Sequence, residues 1–467
     1  MTAPNASLLI PVENQVRELD PKLLLACVAA RRGFTSILGS RREIHFNITA
    51  FPRSIYLSKS ITSASDWVFA ILRHLGHEIV AWDEEALVHL PPETYFSRRL
   101  SPAAMARVSH FFAWGQDNVE LWEGYSQLPS SARIHISGNP RNDLLRAELR
   151  PFYEAQVRDI RAAYGDFILI NTNFNHVNAF SPVQNLFKPA TNPGEEPAFG
   201  RAAKGMTRAY AEGLRNLKQA VFNDFKQLVP SLDRAFPGHT IVVRPHPTES
   251  QAIYHQIAEG CKRVKVTNAG NVVPWLMAAR ALIHNGCTTG VEAFAMGVPA
   301  ITYRASVDER YDLGFYRLPN LLSHQCFDRD QVEDTLRRIL AGEIGAAGGE
   351  ERQRILDRYL AALDGPLACE RIVDVLEEMM NTRGQLSRPD FRNWCAGHLK
   401  TFVRNRVKRF KARLPGSHNR PEFQSHRYPQ IPLDDMRDRV RRIQYLLGER
   451  SELRVEPVRG QFFRIAP

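Results

Sequence analysis

The sequence has no long apolar run, few cysteines, and ordinary amounts of glycine and proline. No stretch approaches the roughly 18–20 uncharged apolar residues that a helix needs to span a bilayer. The 6 cysteines among 467 residues include no CxxC pair, which favours reduced thiols over a disulfide framework or a zinc site. The contents of 28 Gly and 29 Pro exclude collagen-like and low-complexity classes. The N-terminus lacks the basic start and apolar run of a secretory signal, so these absences together predict a globular cytoplasmic protein.

The positive charge of the chain is concentrated near its C-terminal end. Residues 386–467 hold 19 Lys+Arg against 8 Asp+Glu, whereas the whole chain holds 61 against 50. Residues 1–385 are therefore neutral, and the net charge of +11 belongs to the C-terminal part. The main body has no nucleic-acid signature.

The main body alternates short apolar runs with longer amphipathic ones, which is typical of an α/β protein with parallel sheets. One set of strands begins at 7–12 and a second at 167–172. Two successive doubly wound units predict a cleft, with ligands at the carboxyl ends of the strands. We expect an N-terminal acceptor-side Rossmann-like domain, a nucleotide-donor-binding Rossmann-like domain and a basic helical extension, over 1–150, 151–385 and 386–467.

A rigid histidine follows one predicted strand of the second set, in the sequence Arg-Pro-His-Pro at 244–247. The two prolines fix the backbone around the imidazole. Arg244 and His246 both donate hydrogen bonds to oxyanions, so the segment suits a phosphate or diphosphate. A structural histidine in a proline turn is the alternative. The position at a strand end, with a second loop of phosphate-binding type, favours the phosphate interpretation.

That second loop is His-Asn-Gly-Cys-Thr-Thr-Gly-Val-Glu at 284–292, between a predicted strand and a helix. Free N–H groups at the helix start, with the Thr288 and Thr289 hydroxyls, suit a phosphate at the positive end of the helix dipole. Glu292, about one turn into the helix, is within reach of ribose hydroxyls. Ordinary N-capping by threonine is the alternative. The loop is not GxxxxGK[ST], which disfavours ATP hydrolysis.

These two segments, with Gly-Val-Pro at 297–299, resemble the nucleotide-binding half of GT-B glycosyltransferases. The His-Pro signature resembles enzymes with CMP- or CDP-activated donors: polysialyltransferases, Kdo transferases and CDP-glycerol glycerophosphotransferases. Further segments look like bacterial surface-carbohydrate (capsule and lipopolysaccharide) biosynthesis proteins of that group; they lie at 11–26, 82–85, 137–145 and 168–174. The resemblance covers roughly residues 7–380.

The resemblance implies a set of nucleotide- and phosphate-binding residues, with Glu292 near the ribose. They are Arg244, His246, Asn173, Asn285, Gly286, Thr288, Thr289, Gly290 and Glu292. It also implies that no metal or cofactor is bound, because protein groups neutralise the leaving phosphate. The sequence agrees, since residues 1–385 have no Asp-x-Asp at a strand end and no His/Cys cluster with ligand spacing.

The acceptor half should supply a carboxylate, and the cluster of Asp83, Glu84 and Glu85 ends a predicted strand. Neighbouring carboxylates raise one another's pKa, so one can hold a proton while another stays ionised. One would act as base on the acceptor hydroxyl, or as nucleophile in a retaining route. Glu13 and Glu18, after the first strand, are the other candidates. The alternative is that the cluster only solvates a loop or caps a helix.

The C-terminal part contains a basic amphipathic segment over 391–414. Apolar residues recur there at helical spacing, and no acidic residue lies between positions 400 and 414. Such a helix suits an anionic membrane surface, which Arg404, Arg406, Lys408 and Lys411 would contact. Packing on the acidic side of its own protein and RNA binding are the alternatives.

The sequence thus predicts a metal-independent GT-B glycosyltransferase of surface polysaccharide biosynthesis. It would transfer an acidic sugar, Kdo or another nonulosonic acid, from a CMP-linked donor to a glycan or lipid-linked acceptor. The expected location is the cytoplasm or the inner face of the cell membrane, with no nucleic-acid partner. The alternatives are a CDP-polyol phosphotransferase, a UDP-sugar 2-epimerase-like enzyme and a non-catalytic assembly protein.

Overall fold

The strands and helices follow each other in an α/β order. The computed structural model describes residues 6–189, 196–312, 316–414, 417, 419–449, 452–460 and 462–467. Within these ranges the strands are β1 (Ser7–Val12), β2 (Thr35–Ser40), β3 (Ser54–Ser58), β4 (Glu78–Ala81), β5 (His110–Ala113), β6 (Ile134–Ile136), β7 (Phe167–Thr172), β8 (Thr240–Pro245), β9 (Val264–Val266), β10 (Ala281–His284), β11 (Ala300–Tyr303), β12 (His324–Cys326), β13 (Arg454–Arg459) and β14 (Phe462–Ala466).

The helices of the described residues alternate with these strands and then dominate the C-terminal part. They are α1 (Gln15–Arg31), α2 (Arg41–Phe46), α3 (Asp66–His74), α4 (Pro92–Arg99), α5 (Pro102–Met105), α6 (Gln116–Glu123), α7 (Pro140–Asp143), α8 (Glu154–Tyr164), α9 (Arg208–Ala235), α10 (Ala252–Glu259), α11 (Val272–Ala278), α12 (Thr289–Met296), α13 (Arg317–Leu321), α14 (Arg329–Leu340), α15 (Glu350–Tyr359), α16 (Ala368–Arg383), α17 (Phe391–Lys411), α18 (Pro421–Arg427) and α19 (Leu433–Leu446).

The chain folds into two compact units, and the first contains both ends of the chain. Its segments reach from the N-terminal strand to residue 87, from 95 to 152, and from 357 to the C-terminal strand. The second unit comprises 88–94 and 153–356. The division after residue 152 lies close to the expected one at 150. Residues 357–385, which we expect in the nucleotide domain, instead join the first unit, and 386–467 do not form a unit of their own.

Backbone contacts explain why the chain returns to the first unit. The N–H of Ala361 donates to the carbonyl of Trp114 at 2.7 Å. The buried carboxylate of Asp143 accepts from the N–H groups of Ala368 and Cys369, at 2.7 and 2.9 Å, and so caps the start of α16. A carboxylate at a helix N-terminus satisfies donors that the helix itself leaves without partners.

The first unit is built on an eight-stranded sheet with the order β13-β14-β2-β1-β3-β4-β5-β6. Strands β1 to β6 are parallel, whereas β14 pairs antiparallel with β2 and with β13. Helix α1 is buried along most of its length, since it contacts β2, α16 and α19. The C-terminal hairpin extends the sheet, and the buried side chains of Phe462 and Ile465 anchor it there.

The second unit is built on a six-stranded parallel sheet with the order β12-β11-β10-β7-β8-β9. Strand β7 is buried at all six positions, as expected for a parallel strand with both faces covered. Its apolar core joins β7, β8 and β10 to the long helix α9. The predicted fold class, an α/β protein with two doubly wound parallel sheets, is confirmed. No helix within the described ranges is long and apolar enough to cross a membrane.

Candidate functional site

In the second unit, the carboxyl ends of β7, β8 and β10 bring the predicted nucleotide-binding loops together. The strand register places Asn171 beside Arg244 on one side and beside His284 on the other. The next residues also meet: the N–H of Asn173 donates to Asn285 Oδ1 at 2.9 Å. Adjacent parallel strands that end at one edge of a sheet form the usual ligand position of this fold class.

The amide of Asn171 lies in the middle of this edge. Only 3% of the residue is exposed, and neither its nitrogen nor its oxygen has a hydrogen-bond partner among the described residues. Buried amides are ordinarily hydrogen-bonded, because an unsatisfied donor or acceptor destabilises the folded state. The edge therefore has hydrogen-bonding capacity for a ligand or for water.

His246 is held in one orientation by the loop that follows β8. The N–H of Thr248 donates to His246 Nδ1 at 3.3 Å, and Thr248 Oγ1 lies 2.8 Å from the same nitrogen. A ring nitrogen that accepts carries no proton, so the proton of the neutral imidazole is on Nε2. The loop thus fixes both the orientation of His246 and the position of its ring proton.

Glu249 holds this loop in place by hydrogen bonds. The sequence motifs did not indicate this role. Its buried carboxylate accepts from Tyr254 Oη at 2.7 Å, from Thr172 Oγ1 at 3.0 Å and from the N–H of His246 at 3.2 Å. Burial raises the pKa of Glu249, although these hydrogen bonds oppose the shift. The available signal was a carboxylate three residues after the histidine, in a loop that needs an acceptor for its N–H groups.

The guanidinium of Arg244 is directed at a neighbouring loop. It donates to the carbonyl oxygens of Ala269 and Gly270, at 2.8 and 2.6 Å, and lies over the ring of Trp275 at 5.3 Å. Burial lowers the pKa of Arg244 to about 10. In this geometry the side chain supports the 269–270 loop.

The 284–292 turn is shaped by a buried histidine. Nδ1 of His284 accepts from the N–H groups of Gly286 and Cys287, at 3.0 and 3.3 Å, and burial lowers the pKa of His284 to about 3. Gly286 has a φ of +78°, which favours glycine. A Cβ on Gly290 would lie 2.5 Å from His284 Nε2, so helix α12 can approach only because this residue is glycine.

Lysine 218 is a charged group of this site that the motifs did not indicate. Lys218 lies on the buried face of α9, and its Nζ is 3.3 Å from the centre of the Tyr316 ring. Burial lowers the pKa of Lys218 to about 7, against the opposing charges of Glu249 and Cys287. Tyr316 in turn flanks Gly286, since a Cβ there would lie 3.0 Å from its ring. The lysine is therefore close to both phosphate-type loops.

In the first unit, the loops after β1, β3 and β4 form an ion-paired network. Glu18 accepts from Lys22 at 2.8 Å, from Lys59 at 2.6 Å and from the N–H of Glu13 at 3.0 Å. Glu13 pairs with Lys59 at 2.9 Å, with Arg41 at 2.8 Å and with Arg427 at 2.6 Å. Both carboxylates are thus bound by several cations.

This network keeps both glutamates ionised. Burial alone would raise the pKa of Glu13, but Arg41, Lys59 and Arg427 lower it to about 2. Burial would likewise raise the pKa of Glu18, and Lys22 and Lys59 hold it far below its usual value. A carboxylate with such a low pKa is a weak base, because catalytic efficiency follows basicity.

Asp83 is also occupied by structural contacts. It is fully buried, and its carboxylate accepts from Arg99 and from Tyr95 Oη, the latter at 2.8 Å. Glu84 is buried as well, with Trp82 Nε1 donating to it at 3.1 Å and Arg141 lying 3.8 Å away. Neither side chain faces bulk solvent.

Glu85 is the exposed member of the cluster. Its carboxylate makes no hydrogen bond or ion pair with any residue that the structure describes, and only its N–H is engaged, with Asp83 at 3.3 Å. Desolvation alone would raise the pKa of Glu85. The positive charges of Arg17, Arg99 and Lys59 outweigh this effect and hold the pKa below its usual value. Of the five predicted carboxylates, this one is available to a substrate.

The basic helix α17 packs on α3 with a face of small and polar residues. Gly397 and Thr401 are buried, and a Cβ on Gly397 would lie 2.7 Å from Leu75 Cδ2. Arg404 is buried as well and contacts His45 of α2. Arg406 and Lys411 are exposed, whereas Lys408 is half-buried. The large apolar residues point outward: the exposed fractions are 64% for Leu399, 58% for Phe402 and 64% for Phe410.

Solved structures similar to this chain are known. No protein-family model and no curated protein matches the sequence. The wall teichoic acid polymerase TagF, in crystals soaked with CDPG, is similar with a TM-score of 0.51 at 12% identity, over 82% of this chain and 90% of that one. The UDP-GlcNAc 2-epimerase of Methanocaldococcus jannaschii, in complex with UDP-GlcNAc and UDP, has a TM-score of 0.45 at 12% identity, over 80% and 99%.

The likeness to TagF shows the fold. The chain has the GT-B fold, with parallel sheets of Rossmann type and a C-terminal part rich in helices. An identity of 12% carries no activity from one chain to the other.

Proposed function

We propose that the protein is a metal-independent glycosyltransferase of surface polysaccharide biosynthesis. In this proposal it transfers an acidic sugar, Kdo or another nonulosonic acid, from a CMP-linked donor to a glycan or lipid-linked acceptor. The observation that carries it is the edge formed by β7, β8 and β10. There a buried amide without a partner among the described residues, Asn171, lies next to two loops rich in donors.

The donor groups of this edge suit a leaving nucleotide. When the bond between the anomeric carbon and the phosphate oxygen breaks, negative charge develops on CMP. His246 Nε2–H, the positive end of the α12 dipole and the Lys218 ammonium would stabilise that charge. Thr288, Thr289 and Asn285 supply further hydrogen bonds in the proposal, and Glu292 binds the ribose. Arg244 acts by holding the 269–270 loop.

Glu85 is the proposed base of the first unit. Its ionised carboxylate would take the proton of the acceptor hydroxyl as the new bond to the anomeric carbon forms, while CMP leaves with the electron pair. In a retaining route the same carboxylate would attack first as nucleophile. Asp83, Glu84, Glu13 and Glu18 position the loops around it through the contacts described above.

A CDP-polyol phosphotransferase is the second candidate. It is favoured by the similarity to TagF, whose crystals were soaked with CDPG. The acceptor hydroxyl would then attack the polyol-bearing phosphorus while CMP leaves, so the same donor groups would stabilise both the phosphoryl group under attack and the departing CMP. In both cases the nucleotide is a cytidine nucleotide, so donor binding does not separate the two candidates, whereas product analysis does.

The exposed side of α17 is the proposed membrane contact. Its apolar residues Leu399, Phe402 and Phe410 would enter the headgroup region, and Arg406 and Lys411 would attract anionic lipids. A transferase with a lipid-linked acceptor benefits from this contact, because the acceptor stays at the membrane surface.

The proposal is tested first by thermal denaturation with CMP, CDP, UDP, GDP and ADP. A nucleotide that binds only the folded protein raises the melting temperature according to its affinity. We expect cytidine nucleotides to give the largest increase. A preference for UDP would contradict the donor assignment and favour an epimerase-like enzyme, and no stabilisation by any nucleotide would favour an assembly protein.

Product analysis with CMP-Kdo, CMP-sialic acid and CDP-glycerol then separates the remaining candidates. Acceptor-dependent release of CMP from CMP-Kdo or CMP-sialic acid, with the sugar joined to the acceptor, supports the glycosyltransferase. Acceptor-dependent use of CDP-glycerol alone would replace it by the polyol phosphotransferase.

A further inference from the structure

A cationic pocket lies in the first unit. It has a volume of about 230 Å³ and is lined by α2, by β3 with the turn after it, and by α17. A smaller pocket of about 80 Å³ shares its basic wall. The side chains common to both are Arg41, His45, Arg404 and Lys408.

Two of the four cations that line this pocket have no anionic partner among the described residues. Lys59 and Arg41 pair with Glu13, but neither Arg404 nor Lys408 pairs with a carboxylate among the described residues. Arg404 is only 7% exposed, and its guanidinium contacts two neutral groups, His45 Nδ1 and Asn405 Oδ1, at 3.3 and 3.4 Å. A buried cation without an anion destabilises the folded state unless a ligand supplies the charge.

The pKa shifts have the same cause. Burial lowers the pKa of Arg404 to about 10, and Arg41 contributes to the decrease. Burial, Arg404, Lys411 and Arg41 together lower the pKa of Lys408. Burial and the same cations keep the pKa of His45 well below its usual value, so this imidazole is neutral at pH 7. Each of these groups is thus surrounded by positive charge.

The hydrogen-bonding pattern leaves donors toward the pocket. Because a guanidinium cannot accept, His45 Nδ1 accepts from Arg404, and the ring proton is on Nε2. That proton is donated to Tyr56 Oη, 2.6 Å away, so the tyrosine hydroxyl keeps its own proton for another acceptor. The hydroxyls of Ser60 and Thr62 also line the wall. Glu13 engages Arg41 and Lys59, so Arg404, Lys408 and these hydroxyls are the groups left to bind a phosphate.

We propose that this pocket binds a phosphate or diphosphate group carried by the acceptor. Phosphate binding is inferred from the pocket alone, whereas its assignment to the acceptor rests on the proposed function. Helix α17 contributes Arg404 and Lys408 on its inner side and exposes Leu399, Phe402 and Phe410 on its outer side. The phosphate of a lipid at a membrane surface would therefore be within reach of the same helix.

The test uses inorganic pyrophosphate as the probe in isothermal titration calorimetry with the full chain. We expect the double variant Arg404→Gln, Lys408→Gln to bind it roughly 10- to 100-fold more weakly, because two charge-assisted contacts are lost. Arg409→Gln, an exposed position on the same helix, is the matched control and should bind normally. Without ligand, Arg404→Gln should melt no lower than the wild type, since it removes a buried charge without an anionic partner.

The nucleotide site could also take pyrophosphate, so His246→Ala is measured in parallel. We expect His246→Ala to lose CDP binding and still bind pyrophosphate in the pocket. The double variant should bind CDP and lose pyrophosphate binding. Loss of pyrophosphate in His246→Ala with retention in the double variant would overturn the proposal. If the double variant does not fold, Lys408→Gln alone, at a half-buried position, gives the same comparison. If the wild-type protein binds pyrophosphate in the pocket but does not bind CDP, only the proposed function is rejected.

Vesicles distinguish the two sources of the phosphate. Phosphatidylcholine vesicles that contain phosphatidic acid, a phosphomonoester, are compared with vesicles of equal charge that contain phosphatidylglycerol, a phosphodiester. Preference for phosphatidic acid, with competition by pyrophosphate and loss in the double variant, supports a lipid phosphate. Equal binding of both vesicles together with pocket binding of pyrophosphate supports a soluble phosphorylated acceptor.

Discussion

Replacement of Lys218 with methionine tests whether this buried lysine contacts the phosphate of the donor. Methionine has a similar length, so the packing against Tyr316 should survive while the positive charge is removed. A charge-assisted hydrogen bond contributes about 1.5–3 kcal/mol, so we expect affinity for CMP or CDP to fall by roughly 10- to 150-fold at pH 6. Lys226→Met, two turns further along α9, is the control and should bind normally.

The pH dependence gives the sharper measurement. In the free protein the pKa of Lys218 is about 7, so the lysine is charged below pH 7 and increasingly neutral above it. A bound phosphate would raise this pKa, which means that binding takes up a proton at higher pH. The lysine should therefore reduce wild-type affinity by up to about tenfold for each pH unit above 7, since one pKa unit corresponds to about 1.4 kcal/mol.

Calorimetry from pH 6 to 9 in buffers of different ionisation enthalpy reports both the affinity and the proton uptake. The nucleotide's own titration is present in every variant, so the difference between wild type and Lys218→Met isolates the lysine. Without ligand, Lys218→Met should be at least as stable as the wild type at pH 7, because the folded state disfavours the charged amine. Equal affinities and parallel pH profiles for the two proteins would refute the contact.

Three further predictions concern the other proposed groups. His246→Ala should weaken nucleotide binding by roughly 10- to 150-fold while the melting temperature stays near that of the wild type; normal binding with a large loss of stability would instead assign the histidine to the fold. Glu85→Gln should reduce turnover by at least about 100-fold with intact donor binding, and Asp83→Asn should mainly lower the melting temperature; unchanged turnover in Glu85→Gln would move the search to the other carboxylates. Charge reversal at Arg406 and Lys411 should weaken co-sedimentation with anionic vesicles by at least about 30-fold, at about 1 kcal/mol per basic residue, and high salt should weaken that of the wild type; equal sedimentation of both proteins would exclude the membrane contact.

The fold class could be predicted because the strands of parallel sheets are continuous apolar runs. Phe167–Thr172 is buried at every position and is recognisable from sequence alone. Other elements have no such pattern. Strand β3 is short and lies between polar segments, and the C-terminal hairpin pairs with β2 at the opposite end of the chain. No local pattern encodes a pairing between the two ends, so the return of the chain to the first unit could not be predicted either.

The positions of the loops at 244–249 and 284–292 could be predicted, but the direction of individual side chains could not. Arg244 follows its strand as expected, yet its guanidinium is directed at the carbonyls of Ala269 and Gly270, which a remote segment supplies. Lys218 did leave a signal: it lies four residues from Leu214 and four from Phe222, on the apolar face of α9. A lysine at such a position is rarely buried without a reason, so this pattern marks a candidate site.

Residue type alone does not say which carboxylate of the first unit can act as a base. Five acidic residues near the ends of β1 and β4 are equivalent candidates in sequence, because each can accept a proton. Their contacts make them unequal: the cations bound to Glu13 and Glu18 lower the pKa of both, so these two are poor bases. Burial keeps Asp83 and Glu84 from solvent. Nearby cations also lower the pKa of Glu85, so its exposure is what distinguishes it. Glu18 and Glu13 are held by Lys22, Lys59 and Arg41. Asp83 is held by Arg99. Glu85 has no such partner among the described residues and faces solvent. The network thus fixes the loop on which one exposed carboxylate is presented, and this division of roles is why we assign the chemistry to Glu85 and the framework to its neighbours.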